Sequence, residues 1–338
     1  MGFTGVSVFD GANWQTHNSG SQVNAIAKDG IGNYYLGVLN NGLKKTSDFS
    51  AYTSYGVSEG LLHSWVQAIA VDASDSIWIG SDGGLSVLKN NVFKNYTTSN
   101  GLLGNVVKDI KFDGSGGVWI ATNGGVSHYL NGVWDGYTTS DGLVSNIVTA
   151  IEIDANGNKW FGTEDLGLSK LSGSTWTTIN TSNGLPDNMI YDLLWENNTL
   201  WVGCMGGLGQ FKNNVWEKYY AHDGLVSGFI KKMAVDQDGN LWIATTSGVS
   251  MMESMSINVN QSVHKTNMKI FPNPCTAQLN VEVESKSNIR ILNIYGQVVF
   301  EKSINSGAID VSGLEEGMYF LQCKGSNGID IQSFIKVK

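Results

Sequence analysis

Apolar residues along this 338-residue chain come in short bursts, rich in Val, Ile and aromatics, separated by Gly, Asn and Asp. Bursts of that kind bounded by turn formers predict strands rather than helices. They recur with a fixed period. Trp78, Trp119, Trp160, Trp201 and Trp242 stand 41 residues apart; four of them lie in AIAVDASDSIWIGSDGGLSVL, DIKFDGSGGVWIATNGGVSHYL, AIEIDANGNKWFGTEDLGLSKL and KMAVDQDGNLWIATTSGVSMM. A second marker keeps the same register: SEGLLHSWV, SNGLLGNVV, SDGLVSNIV, SNGLPDNMI and HDGLVSGFI, with Gly60, Gly101, Gly142, Gly184 and Gly224 aligned. A degenerate earlier copy, VNAIAKDGIGNYYLGVLNNGLKKT, puts Tyr35 in the tryptophan position and makes six.

Each copy reads as four short strands. The first is a β-branched run such as residues 66–71, closed by an Asp-containing turn. The second carries the tryptophan, the third follows a Gly-rich turn, and the fourth holds an aromatic such as Phe93, Trp134, Trp176 or Trp216. Four strands per repeat of this length is the arithmetic of a propeller blade. Blades are buried on both faces, which accounts for unbroken apolar runs such as IWIG, VWIA and LWIA. The simplest role for the repeated tryptophans is packing between blades.

The ends of the array bear on closure. Gly5-Val6-Ser7 matches the third-strand start Gly84-Leu85-Ser86, Trp14 matches the fourth-strand aromatic, and the last copy stops at GVSMMES without a fourth strand. This predicts that the strand around Trp14 pairs with the last blade and closes a six-bladed ring. The spare third strand equally suits a truncated seven-bladed propeller whose upstream residues would complete another blade.

The string D-x-x-G-x-L/V-W-I-G/A-T, followed by G-G-L/V-S and later D-G-L, resembles the two-component regulator propeller repeat over roughly residues 5–252. The resemblance implies a propeller of a type found in periplasmic sensor regions and in secreted proteins of the Bacteroidetes. It does not imply signalling, since the remaining residues cannot hold a kinase, phosphoacceptor or DNA-binding segment.

After Met252 the period stops. Residues 253–266 read as a polar linker, and from 267 to 338 the texture changes to short alternating strands, QLNVEVES, IRILNIYGQVV, GMYFLQCK and QSFIKVK. An immunoglobulin-like β-sandwich is expected there. IFPNPC, ILNIYGQVV, IDVSGLEEGMYFLQ and the terminal IKVK resemble the type A sorting domain of the type IX secretion system. By that resemblance Pro272-Asn273-Pro274 opens the domain, Gly296 lies in a hairpin turn and Gly317-Met318-Tyr319 begins a core strand. The same resemblance implies the type IX secretion machinery as a partner and a secreted or outer-surface location. The start, MGFTGVSVFDGANW, has neither the basic nor the apolar region of a signal peptide, and no stretch has the length of a spanning helix.

Charge narrows the ligand classes. The formal net charge is -9, and 23 acidic against 13 basic residues precede position 265, so a nucleic-acid partner is not expected. Cys204, Cys275 and Cys323 do not form a metal-binding spacing; Cys275 and Cys323 could bridge or stay as separate thiols. His17, His63, His128, His222 and His264 fall at unrelated repeat positions, so no catalytic triad follows from spacing. Asp236-Gln237-Asp238-Gly239 superficially resembles a calcium loop, but lacks the downstream glutamate and reads as a blade turn. No metal or cofactor is expected.

Propellers bind ligands where loops converge at the channel mouth. The positions there that break the repeat are His63, Trp65, Asp82, Asn123, Glu164, Asp165, Asp187, Met205 and Phe229. Aromatics beside carboxylates suit a neutral sugar or a cationic group. The leading expectation is therefore a non-enzymatic binding module for a carbohydrate or peptide. The alternative is a lyase or hydrolase acting on a polysaccharide or a streptogramin-like substrate, with His63 and Asp82 as its acid-base pair.

Overall fold

A computed structural model describes residues 5–253, 268–283, 286–293, 298–325 and 328–338. The chain forms two compact units, Met1–Ser254 and Met255–Lys338. Among the described residues the regular structure is all β apart from three one-turn 3-10 helices.

The first unit is a propeller. Its innermost strands are Val23–Lys28, Val66–Val71, Val107–Phe112, Val148–Ile153, Ile190–Glu196 and Ile230–Val235, and they pack side by side in that order. Blades one to five are four-stranded antiparallel meanders in sequence order, and blade six has three strands. Asn-rich turns with left-handed backbone, such as Asn90-Asn91 and Asn213-Asn214, join third to fourth strands, as two-residue hairpins require.

The repeated residues earn their places in the packing. Trp78 is buried with Val107 and Ile110 of the next blade, Trp119 with Val148 and Ile151, and Trp160 with Ile190 and Leu193. In blades two, four and six the tryptophan is also tied down at its polar edge. Asp72 accepts the indole N–H of Trp78 (3.0 Å), Asp154 that of Trp160 (3.0 Å) and Asp236 that of Trp242 (2.7 Å), while the same carboxylates collect backbone N–H groups of their own turns. The Asp236 turn is thus a tryptophan clasp. Blade three differs. There His128 stacks on Trp119 at 4.3 Å, and both Trp119 Nε1 and His128 Nε2 are buried without a hydrogen-bond partner. The second marker is steric: any side chain on Gly101, Gly142 or Gly184 would run into the fourth-strand aromatic Trp134, Trp176 or Trp216.

The N-terminal segment corrects one expectation. Strands β1 (Val6–Phe9) and β2 (Trp14–His17) pair with each other in a separate two-stranded sheet, and β2 does not extend blade six. β2 takes β1 as its partner instead, from Val6 opposite His17 to Phe9 opposite Trp14. Phe9 meets blade six through the ring of Trp242, tilted against it at 5.9 Å, a side-chain contact and not a strand pairing.

The second unit packs a three-stranded sheet (Lys269–Phe271, Gln278–Glu282, Gly307–Asp310) and a four-stranded one (Val298–Ile304, Ser287–Leu292, Gly317–Gly325, Gly328–Lys336) around Leu279, Val281, Ile289, Ile291, Leu321 and Phe334. That is a β-sandwich. Asn273 locks its opening loop to the last strand, accepting from the Ile335 N–H (2.9 Å) and donating to the Ser333 carbonyl (3.0 Å). Gly317–Gly325 is a core strand, and Gly296 lies outside the described residues. Cys275 and Cys323 are free, buried thiols in this core, and Cys204 is a free thiol in the propeller.

Candidate ligand-binding site at the channel mouth

Every innermost strand carries the same irregularity. The pairing with the second strand slips by one residue between Val23 and Ala25, Val66 and Ala68, Val107 and Asp109, Val148 and Ala150, Ile190 and Asp192, and Ile230 and Lys232. A bulge leaves one residue unpaired and re-aims its side chain. The six residues so released are Asn24, Gln67, Lys108, Thr149, Tyr191 and Lys231, and all six line one cavity of about 500 Å³ at the channel mouth. Six blades therefore contribute one variable side chain each to a common ring.

Part of the ring is structural. Asn24 donates to the Val66 carbonyl (3.3 Å) and Thr149 to the Ile190 carbonyl (2.6 Å), each stitching its blade to another. The rest faces the cavity. Gln67 is oriented by donating to Asp82 (3.0 Å). Tyr191 donates its hydroxyl to Met189 Sδ (3.2 Å) and packs on Phe229 with ring centroids 4.8 Å apart. Lys231 Nζ lies 4.0 Å from the Phe229 centroid and 4.5 Å from that of Tyr191. Burial pushes the Lys231 ammonium below its ordinary range. Burial, then the charges of Glu164 and Asp187, push the Tyr191 hydroxyl up. Among the described residues, no carboxylate lies within ion-pair distance of Lys108 or Lys231.

Deeper in the channel the charges are already matched. Lys111 bonds Glu152 and Lys232 bonds Asp192, both at 2.7 Å. Asp109 accepts the Ile151 N–H (2.8 Å) and Asp192 the Met233 N–H (2.7 Å), so these carboxylates hold neighbouring inner strands together. Burial drives the Glu152 and Asp192 carboxyls above the usual carboxylate range, and the paired lysines oppose it. These groups staple the ring, and the exchangeable chemistry is left to the mouth.

The nine positions expected from the sequence separate by role. Glu164 lines the mouth cavity, Phe229 forms the Lys231 platform, and Asp82 orients Gln67. Asp187 accepts the Met189 N–H (2.8 Å) and faces Tyr191 electrostatically, and the exposed Met205 donates its N–H to the Met189 carbonyl (3.0 Å). Asp165 is exposed, and Asn123 ties two loops of its blade together by accepting the Val106 N–H (3.3 Å). His63 and Trp65 do not line the cavity; His63 Nδ1 accepts the Trp65 N–H (3.0 Å). His63 and Asp82 are each engaged elsewhere and form no ion pair. Tyr191, Lys231, Lys108 and Gln67 were missed because they sit within strands. Their signal was the position after the apolar residue that opens each innermost strand, as in Val66-Gln67, Val107-Lys108, Ile190-Tyr191 and Ile230-Lys231, which varies from copy to copy.

Comparison with known proteins places both units. Residues 269–338 match the secretion system C-terminal sorting domain, and residues 224–247 match the two component regulator propeller. The whole fold resembles the extracellular domain of BT3049 of B. thetaiotaomicron, assigned to a hybrid two component system, with TM-score 0.67, 18% identity and coverage of 98% of this chain and 52% of that one. It also resembles PorZ, a surface component of the type-IX secretion system of Porphyromonas gingivalis, with TM-score 0.64, 15% identity and coverage of 98% and 55%. A curated relative, beta-agarase D of Zobellia galactanivorans, is 25% identical over 138 residues, 37% of this chain and 29% of its own. The chain thus spans about half of these structures and under a third of the agarase. Among the described residues no helix is long and apolar enough to cross a membrane.

Proposed function

We propose that this chain is a binding module, delivered to or beyond the outer surface through its C-terminal sorting domain and the type IX secretion machinery, and that it holds an acidic carbohydrate at the channel mouth. One observation supports this above the others. Lys108 and Lys231 line the cavity with no carboxylate within ion-pair distance among the described residues, and Lys231 lies over the rings of Tyr191 and Phe229. A partly desolvated ammonium gains from any anion brought to it. A sugar ring adds an apolar face for Tyr191 and hydroxyls for Gln67 and Glu164, so a glycan with a carboxylate or sulfate uses every group available. An acidic peptide would share only the charge. The agarase relative is consistent with a carbohydrate ligand.

The enzymatic alternative needs His63 and Asp82 to act on one substrate. His63 Nδ1 is occupied by a backbone N–H and Asp82 by Gln67, which disfavours the pair. The test is an array of neutral, carboxylated and sulfated glycans alongside acidic peptides, probed with the full chain. Retention of acidic glycans without turnover is expected. Retention of peptides alone, or cleavage of any glycan, overturns the reading.

A further inference from the structure

We propose that Trp65, His63 and Asp82 form a second sugar subsite, for an uncharged unit, on the rim of the mouth across from Lys231. This subsite rests on the acidic-glycan reading of the mouth and extends the ligand from one acidic sugar to a chain that also carries uncharged ones. A second ring of six positions surrounds the channel. The residue before each innermost strand is Gln22, Trp65, Val106, Ile147, Met189 or Phe229. In every blade its carbonyl accepts a backbone N–H from the turn between the second and third strands, at 2.8 Å in blade one and 3.3 Å in blade two. The fold therefore presents these six positions alike, and the side chain is what differs.

Aromatics hold two of the six. Phe229 of blade six lies under Lys231, and Trp65 stands on blade two, with three blades between them. The mouth cavity reaches both rims, lined by Gln67, two residues after Trp65, and by Lys231, two residues after Phe229. Packing does not account for the tryptophan. Val106 and Ile147 serve at the same place in the next two blades, whereas Trp65 is 41% exposed and lies outside the core clusters on either side of its blade. An exposed indole fixed through its backbone offers a face to the apolar side of a sugar ring. The groups beside it suit hydroxyls. His63 Nδ1 accepts the Trp65 N–H (3.0 Å), so the neutral imidazole carries its proton on Nε2 as a donor. Asp82 Oδ1 accepts from Gln67 (3.0 Å), which leaves Oδ2 as an acceptor and ties this rim to the mouth. Gly83 lets His63 come close to the turn, since a side chain there would meet the His63 Cβ at 2.9 Å. Among the described residues no lysine or arginine lies within ion-pair distance of Asp82. Its charge therefore repels an acidic unit, and the subsite takes an uncharged one.

The test titrates the full chain with size-fractionated fragments of hyaluronan and of κ-carrageenan, polymers in which a carboxylated or a sulfated sugar alternates with an uncharged one. Each series starts from the charged monosaccharide. For at least one polymer, affinity should rise by about tenfold or more between the monosaccharide and the longer fragments. Trp65→Ala should bring the long fragments down to the affinity of the monosaccharide, Trp65→Phe should keep most of the rise, and Val106→Ala should keep all of it. Lys231→Met should weaken binding at every length, and melting curves check that each variant is folded. Affinity independent of length, a rise that survives Trp65→Ala, or a loss in that variant as large for the monosaccharide as for the long fragments would overturn the second subsite. Binding of neither polymer overturns it as well, while the glycan array decides separately whether the mouth takes acidic glycans at all.

Discussion

Asp236 accepts the indole N–H of Trp242 at 2.7 Å, and this bond, with those from Asn240 and the turn backbone, holds its carboxyl down to about 2. A depressed carboxylate contributes stability that is complete above its unfolded value, here 3.8, and is lost as pH falls through the folded value. Thermal melts between pH 5 and about 2 should show the wild type losing Tm across that window. An Asp236→Asn variant should start lower and fall less steeply, and parallel curves would contradict the clasp.

Blade packing should be far more sensitive at Trp160 than at Trp14. Trp160 is buried and clasped, whereas Trp14 is exposed on the hairpin. Trp160→Ala should cost about 3–5 kcal/mol in denaturant titration, and Trp14→Ala well under half of that. Equal losses would mean that the tryptophans do not act through inter-blade burial.

Lys232→Met should leave the Asp192 carboxyl buried without its cation. Burial already raises that group, and a raised acid is penalised when ionised, so its contribution is lost as pH rises and recovered once it is protonated. The variant should be markedly less stable than wild type at pH 8, with the gap narrowing toward pH 4. A gap independent of pH would assign Lys232 a packing role instead.

Most of the architecture was legible because burial imposes a period. The tryptophans and the Gly-Leu marker recur since they meet similar neighbours from blade to blade, and the clasping aspartates recur in blades two, four and six. What escaped was set by register. A bulge is a relation between two strands, and nothing in Ile190-Tyr191-Asp192 alone says that Tyr191 is unpaired and aimed at the channel. The mouth was therefore sought only in loops, which gave Glu164 and Phe229 but not Tyr191 or Lys231. The hairpin was misassigned for a related reason: the likeness of Trp14 to the fourth-strand aromatics says nothing of which edge its strand pairs with, and that strand pairs with Val6–Phe9 in a separate sheet instead of extending blade six.

The two units should be separable. The propeller clusters and the sandwich core are built from different residues. Deleting residues 265–338 should leave the propeller melt unchanged within a few degrees while abolishing surface delivery in a host with a type IX secretion system, as read by cell fractionation. Unfolding of the truncated chain would show that the propeller depends on its tail.

The most direct test of the central claim is a calorimetric titration of the full chain with the best acidic glycan from the array, repeated for Lys231→Met, Tyr191→Ala and Lys111→Met. Loss of one cation or one stacking ring from the mouth should weaken binding by about tenfold or more, on the order of 1.4 kcal/mol, while Lys111→Met, whose ammonium is committed to Glu152, should change it little. Undiminished affinity in the Lys231→Met and Tyr191→Ala variants, with both still folded, would contradict binding at the channel mouth.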